Sequence, residues 1–449
     1  MRTRIFTKFI AVLYILFLTT GQVSAQQTEP LNLQKAIDMA LQNNHLLNIK
    51  KLQIEEKQAK VKEDHVKKYP AAVISSTYQY NANLGALVIP QGSFGALPLN
   101  GTTIALPNKE ETFALGKHNN FNAGVSVYQP ITQLGKIKTG VAIAETDVTL
   151  AQQEKTKASL QIKQAVERLY YGLLIVQKQK DEAQAKLELA QMKLYDVESA
   201  LLSGKTIDVN KAGLQANIAD EEQNLLKLNI QSEDYTADLK QLTGIKTDGF
   251  VLANVEKIAV PAGSLESYTS SATANNIDLK IANLGQLKTQ QAIKAAQQSN
   301  RPDIGLIAGY SYQSGNLLYP TNNPFLGAQF KWNLQDLVAN KQVIKQRNFL
   351  LQQARENIAN TQDQVTNDVA KVHRKLSQAT ALIAVAEKAL AYRNEELKIQ
   401  QDKQASGLNI QADLLNTKSL LAKAEADLLS AQLNYRLAFS DLQRLMGEE

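Results

Sequence analysis

The chain repeats itself once, and that repetition limits what it can fold into. Gly124, Gly204 and Gly244 recur as Gly327, Gly407 and Gly447, each 203 positions further on, with Leu242-Thr243-Gly244 matching Leu445-Met446-Gly447. Upstream the offset is 232, carrying Asn43-Asn44 to Asn275-Asn276 and Tyr69-Pro70 to Arg301-Pro302. The first copy therefore holds 29 extra residues, between about 81 and 120. Two copies of this size define a duplicated domain, because solenoids use shorter units and at least three of them.

Most of each copy is long helix. Leu173, Val176, Lys180, Ala183, Leu187, Ala190, Leu194, Val197 and Leu201 step by three and four, and the pattern resumes from Leu214 and Ile218 to Leu239 and Leu242. Val369, Val372, Leu376, Ala379, Ile383, Ala386 and Leu390 repeat it, returning from Leu421 and Ala424 to Leu442 and Leu445. This spacing predicts an antiparallel coiled-coil hairpin at 139–244 and another at 335–447. No proline lies between Pro130 and Pro261 or after Pro324, so nothing there must break a helix. A lone hairpin buries one stripe, and the remaining Leu, Ile and Tyr positions predict helix neighbours from other chains.

Four shorter segments alternate with period two, at about 71–81, 119–129, 303–313 and 325–333. One face carries Ile74, Tyr78, Val125, Leu306, Tyr310, Leu326, Phe330 and Trp332, opposite residues such as Ser75, Ser126, Ser311 and Gln329. Each segment has about 9 to 11 residues, the length of a tilted transmembrane strand with lipid on its apolar side. Two ordinary hairpins on a soluble helical protein would alternate in the same way. The leader favours the membrane: Arg2, Arg4 and Lys8 precede the apolar run Phe9–Leu18 and then Val23-Ser24-Ala25, a signal peptide over 1–25. Four strands cannot close a barrel alone, so the protein is expected to oligomerise to hide its strand edges.

The resulting expectation is mainly α with a membrane β-barrel. A signal peptide occupies 1–25, a first repeat 26–245, a linker 246–275 and a second repeat 276–449. The 49 basic and 43 acidic residues give a formal charge of +6, or +3 without Arg2, Arg4 and Lys8, too mild to predict nucleic-acid binding. There is no cysteine, so no disulfide framework supports the exported chain.

The duplicated order of these features resembles the TolC-like outer membrane efflux protein family. Tyr128-Gln129-Pro130-Ile131 leads from strand to helix, Leu242-Thr243-Gly244 and Leu445-Met446-Gly447 end helices, and Ser203-Gly204 and Ser406-Gly407 make turns. The resemblance implies a homotrimer whose twelve strands form one outer-membrane barrel and whose helices continue as a periplasmic tunnel. It further implies docking to a periplasmic adaptor and an inner-membrane pump, for passive export of small molecules or polypeptides. By the same resemblance, the tips Ser203, Gly204, Lys205, Ser406, Gly407 and Leu408 contact the adaptor. The family's constricting acidic rings fall six and nine positions after the second-repeat glycine. Here those positions are Asp413, which matches, and Asn416, which does not, with Asn210 at the first-repeat equivalent. Gln404 stands where the family often has tyrosine. The alternative for Asp413 is a first-turn acid stabilising a helix N-terminus.

No catalytic, cofactor or metal site is expected. His45, His65, His118 and His373 are scattered, Glu63-Asp64-His65 reads as a solvated helix face, and no phosphate loop or nucleophile elbow is present. The apolar, Gly- and Pro-rich insertion at about 82–118 reads as an extended loop at the outer barrel mouth. The competing functional class is a structural or adhesive coiled-coil envelope protein without channel activity.

Overall fold

A computed structural model describes residues 30–99, 102–202, 208–246, 249–253, 263–317, 319–408 and 411–448. The expected leader and the tip Ser203-Gly204-Lys205 lie outside the described residues. The order is α1 (Leu33–Asn43), α2 (His45–Val66), β1 (Ala71–Tyr80), β2 (Ala86–Ile89), β3 (Ala96–Leu99), β4 (Thr102–Ala105), β5 (Glu111–Ala114) and β6 (Gly116–Pro130). Then follow α3 (Leu134–Leu202), α4 (Asp208–Thr243), α5 (Leu265–Asn275), α6 (Ile277–Gln298), β7 (Asp303–Asn316), β8 (Asn322–Lys331), α7 (Leu334–Ala405) and α8 (Gln411–Met446).

The element boundaries carry the duplication. Shifting α1 and α2 by 232 gives the limits of α5 and α6, and shifting α4 by 203 gives those of α8. The last eleven residues of the expected linker at 246–275, Leu265–Asn275, form α5, the counterpart of α1. The sequence LESYTSSATAN hides the helix, because Ser, Thr and Asn are indifferent helix formers and Ala272 is its one buried residue.

Equivalent asparagines make equivalent caps. Asn44 Oδ1 accepts from Leu46 N at 2.9 Å at the start of α2, and Asn276 Oδ1 accepts from Leu279 N at 3.1 Å at the start of α6. Asn276 also donates to the Leu445 carbonyl at 3.0 Å, and in the first copy the adjacent position, Asn43, donates to the Thr243 carbonyl at 3.0 Å. These bonds explain the glycines that end α4 and α8. Gly244 and Gly447 have φ of 74° and 69°, the left-handed region, and a Cβ on Gly447 would collide with the Asn275 carbonyl.

The chain divides into two units. The first comprises Met1–Leu47, Ala158–Tyr268 and Val369–Arg444; the second comprises Asn48–Lys157, Thr269–Asp368 and Leu445–Glu449. In the first unit, Leu31, Ala36, Ile37, Ala40, Val166, Tyr170 and Leu239 form a core under α1. Leu31 makes a parallel bridge to Leu252, and the Tyr170 hydroxyl lies 2.8 and 2.7 Å from the Leu31 and Ala253 carbonyls, closing over that bridge. Here α3 has α4 on one side, where the Tyr235 ring rests on Gly172, and α8 on the other, through Arg436–Glu167 and Lys178–Glu425. A groove over α8 is lined by Gln164 and Arg168 of α3 and by Lys375 and Gln378 of α7, so α8 lies between those two.

The second unit carries the strands. Its helices are joined by polar contacts: Thr139 with Gln298, Thr146 with Gln291, Lys157 with Asp278 and Lys288 with Asp147 connect α3 to α6. Asn340 and Arg347 of α7 donate to the Ala296 and Ala292 carbonyls of α6. The four long strands form one antiparallel sheet in the order β1-β6-β7-β8. Its central pair, β6 with β7, joins the two copies in register from Phe121↔Ser314 to Pro130↔Gly305.

The insertion differs from the expected extended loop. Among its described residues, β2 pairs with β5 and β3 with β4, two nested antiparallel ladders. Asn81 N donates to the His118 carbonyl and Leu115 N to the Gly85 carbonyl, both at 2.8 Å, so the ladders continue the β1–β6 hairpin. Gly and Pro suggested a loop; the short apolar run Ala86-Leu87-Val88-Ile89, ending in two β-branched residues, and the Pro90 to Gly95 turn carry the strand signal instead.

Candidate functional site

The sheet is the first functional feature. Directly paired residues share a face, and the register aligns Ile74 with Val125 and Tyr310, Tyr78 with Phe121, Leu306 with Ala328, Ala308 with Leu326, and Ile304 with Phe330. Seven of the expected lipid-facing residues, Ile74, Tyr78, Val125, Leu306, Tyr310, Leu326 and Phe330, thus lie on one face. Ile74 is 85% exposed and Leu326 83%. Trp332 falls just beyond β8, and its indole N–H donates to the Asn300 carbonyl at 3.2 Å. The opposite face holds Ser75, Asn122, Ser126, Ser311 and Gln329. β1 and β8 are unpaired edges in the single chain. Pro324 lies within β8, where an edge tolerates its missing N–H.

The second feature is the turn between α7 and α8. Ser406 N donates to Asp402 O, and Leu408 N reaches back to Lys403 O at 2.9 Å, the bond that closes a helix with a left-handed residue after it. Gly407, with φ 67°, is that residue, and it has open space where a Cβ would stand. The turn presents Leu408, 79% exposed, to the surroundings.

Beyond the turn, Asp413 and Asn416 are exposed and three positions apart on α8, so they share a helix face. Leu414, Leu415 and Thr417 beside them are buried. Asn210 belongs to the first turn of α4.

The sequence reading missed a polar cluster in the wall of the first unit. Glu167 is fully buried, with Oε1 accepting from Arg436 Nε at 2.9 Å. Burial pushes its carboxyl above the ordinary range, and the guanidinium opposes that push. Tyr171, one turn on and also fully buried, has its phenol pushed up to about 12, mainly by burial. The signal was present in Tyr170-Tyr171, two bulky residues side by side, which require α3 to be covered on more than one face.

Among the described residues, no group of three or more His, Asp or Glu is placed to hold a metal ion, and no helix is long and apolar enough to cross a membrane. A membrane crossing in such a chain belongs to its strands.

The structure thus combines long helix pairs with a four-stranded sheet that has one exposed apolar face and two open edges. The profile of the outer membrane efflux protein family matches residues 36–245 and 268–448, and the chain belongs to that family. It is therefore an outer-membrane protein of efflux. The fold agrees with solved outer-membrane channels. The CmeC channel of Campylobacter jejuni superposes with TM-score 0.71 at 15% identity, covering 92% of this chain and 85% of that one. The VceC outer membrane protein of Vibrio cholerae gives 0.66 at 16%, covering 93% and 96%. The open state of the MtrE channel of Neisseria gonorrhoeae gives 0.62 at 18%, covering 93% and 89%. No curated protein sequence matches the chain.

Proposed function

We propose that three copies of this chain form a passive export duct, the outer-membrane component of a tripartite pump. The carrying observation is the sheet: four strands, two open edges and one exposed apolar face. Three such sheets, each β1 pairing with the next copy's β8, give twelve antiparallel strands and leave no edge. Lipid then covers the Leu306–Leu326 face, and water fills the Ser311–Gln329 face. The long helices, about 100 Å for the 69 residues of α3, extend the duct into the periplasm.

The exposed Leu408 and the hydrogen-bonded turn that carries it support this end as the adaptor-docking tip. Asp413 is the acidic residue of the constriction, repeated three times around the axis. Energy comes from the inner-membrane partner, since the chain contains no nucleotide-binding motif. The cargo is a small molecule or polypeptide passing through the lumen.

The test is direct. Purified in detergent, the protein should run as a trimer that boiling converts to monomer, and it should conduct in planar bilayers. A soluble monomer without conductance would instead fit a structural envelope protein.

A further inference from the structure

The two hairpins of the sheet end differently. β7 and β8 are joined by a short turn, whereas β1 and β6 are separated by residues 81–115, which fold into the nested ladders β2–β5 and β3–β4. These ladders, with the turn between β2 and β3, carry Leu87, Val88, Phe94, Leu97, Ile104 and Phe113, all exposed in the single chain. The short turn carries Leu317 and Tyr319, exposed to 66% and 65%. Two-stranded ribbons bury little and are marginal alone in water, so apolar ribbons of this kind need cover.

We propose that the insertion is a clasp on the neighbouring copy of this chain, seated on that copy's Leu317–Tyr319 turn. The placement follows from strand order and rests on the trimeric reading given above. β1 is an open edge, and the other open edge is β8. When β1 of one copy pairs antiparallel with β8 of the next, the end of β1 at Tyr80 lies beside the start of β8 at Asn322. The insertion leaves β1 at Asn81, and the turn enters β8 from Leu317 and Tyr319. Both apolar surfaces therefore emerge at the same corner of the same interface. The insertion's root is fixed there by the Asn81–His118 and Leu115–Gly85 backbone bonds and by the stacking of Tyr80 on His118. Within one chain the insertion's other root also meets the turn, through Gly116↔Asn316, yet Leu317 and Tyr319 stay exposed there, so the chain's own insertion leaves that turn uncovered.

The clasp also gives the 29 extra residues of the first copy a reason to exist in one copy only. Each interface has one β1 edge and one β8 edge, and a single clasp per interface is sufficient.

The experiment uses the full chain with Tyr319 replaced by photoreactive benzoylphenylalanine. After irradiation of the assembled protein, a boiled sample should show a covalent dimer whose cross-linked peptide lies within residues 85–115. A cross-link within one chain, to lipid or to another protein, overturns the clasp, as does none at all. A second measurement covers poor incorporation. Leu317→Ser with Tyr319→Ser should speed dissociation of the trimer in detergent about tenfold, but should add nothing when residues 84–115 are already replaced by a two-residue turn. Equal effects in both backgrounds overturn the clasp while leaving the trimer standing. A parent protein that is monomeric before any change overturns the trimeric reading itself, and the clasp with it.

Discussion

In the first unit, α3 and α8 differ from α4 and α7 in how completely the chain covers them. On α3, Leu160 and Ile162, Tyr170 and Tyr171, and Ala183, Ala185 and Leu187 are all buried; on α8, so are Leu414 with Leu415 and Ala422 with Ala424 and Ala426. Buried residues one and two apart cannot share one helix face, so both helices are covered on at least two sides. On α7 the buried residues Val369, Val372, Leu376 and Ala379 form one stripe, and among the described residues of α4 only Leu239 and Thr243 are buried. Leu382, Val385 and Tyr392 of α7 and Leu226 and Ile230 of α4 stay exposed. The inner helices are covered by their own chain along most of this unit, with Tyr195 and Leu202 near the end of α3 left exposed. The flanking helices, like the sheet edges, stay open in the single chain, where the proposed trimer would place a neighbour.

The largest effect should come from the inner pair. Leu442 of α8 is fully buried, and Leu442→Ala should destabilise the chain by about 2–5 kcal/mol, read by urea denaturation. Leu382→Ala on the flank should change chain unfolding by less than about 0.5 kcal/mol while weakening trimer assembly. Similar losses at both sites would erase the distinction between inner and flanking helices.

The sheet poses the same question in lipid. Leu306→Arg should cost about 2–4 kcal/mol and reduce assembled protein in outer membranes, whereas Ser311→Arg on the opposite face should be tolerated. If yields fall equally, the two faces are not solvated differently.

The buried Glu167 separates wall stability from function. Its carboxyl is held above the ordinary 4.5, so the folded chain binds that proton more tightly than the unfolded chain. The resulting stabilisation is full below about pH 4.5 and is lost as pH rises through the folded value. Glu167→Gln should therefore give a flatter stability profile above pH 4.5, followed by urea unfolding across that range. A slope matching the parent's would exclude Glu167 as its source.

The tips should affect stability least. Leu408→Glu should abolish export while trimer yield holds; it is the cleaner test, because a side chain at Gly407 adds about 1–2 kcal/mol of backbone strain. Asp413→Asn should lower cation selectivity and block by multivalent cations in single-channel recordings, with folding unchanged. Currents identical to the parent's would leave Asp413 as a helix-terminal charge.

Much of this was legible in the sequence because long helices and strands report their buried faces through spacing. The seam residues Leu173, Val176, Ala183, Leu187 and Ala190 are buried, and the alternating strand residues share a face. What spacing could not show was burial by a second neighbour. Glu167 and Tyr171 lie off the heptad seam, so a period derived from one partner assigns them to solvent. Helix α5 was missed for the opposite reason: too few of its residues are buried to create a period. The insertion was misread because Gly and Pro mark the corners of short ribbons as readily as they mark loops.

The central β6–β7 pair has a consequence for chain continuity. The covalent path between the two copies runs through residues 246–264, but their longest ladder lies in the middle of the sheet. A break in that path would leave every strand bond in place. Two separately synthesised polypeptides, one ending near Ala253 and the other starting near Gly263, should therefore find each other and rebuild the sheet. The peptide linking the halves would then serve to match their numbers rather than to hold them together.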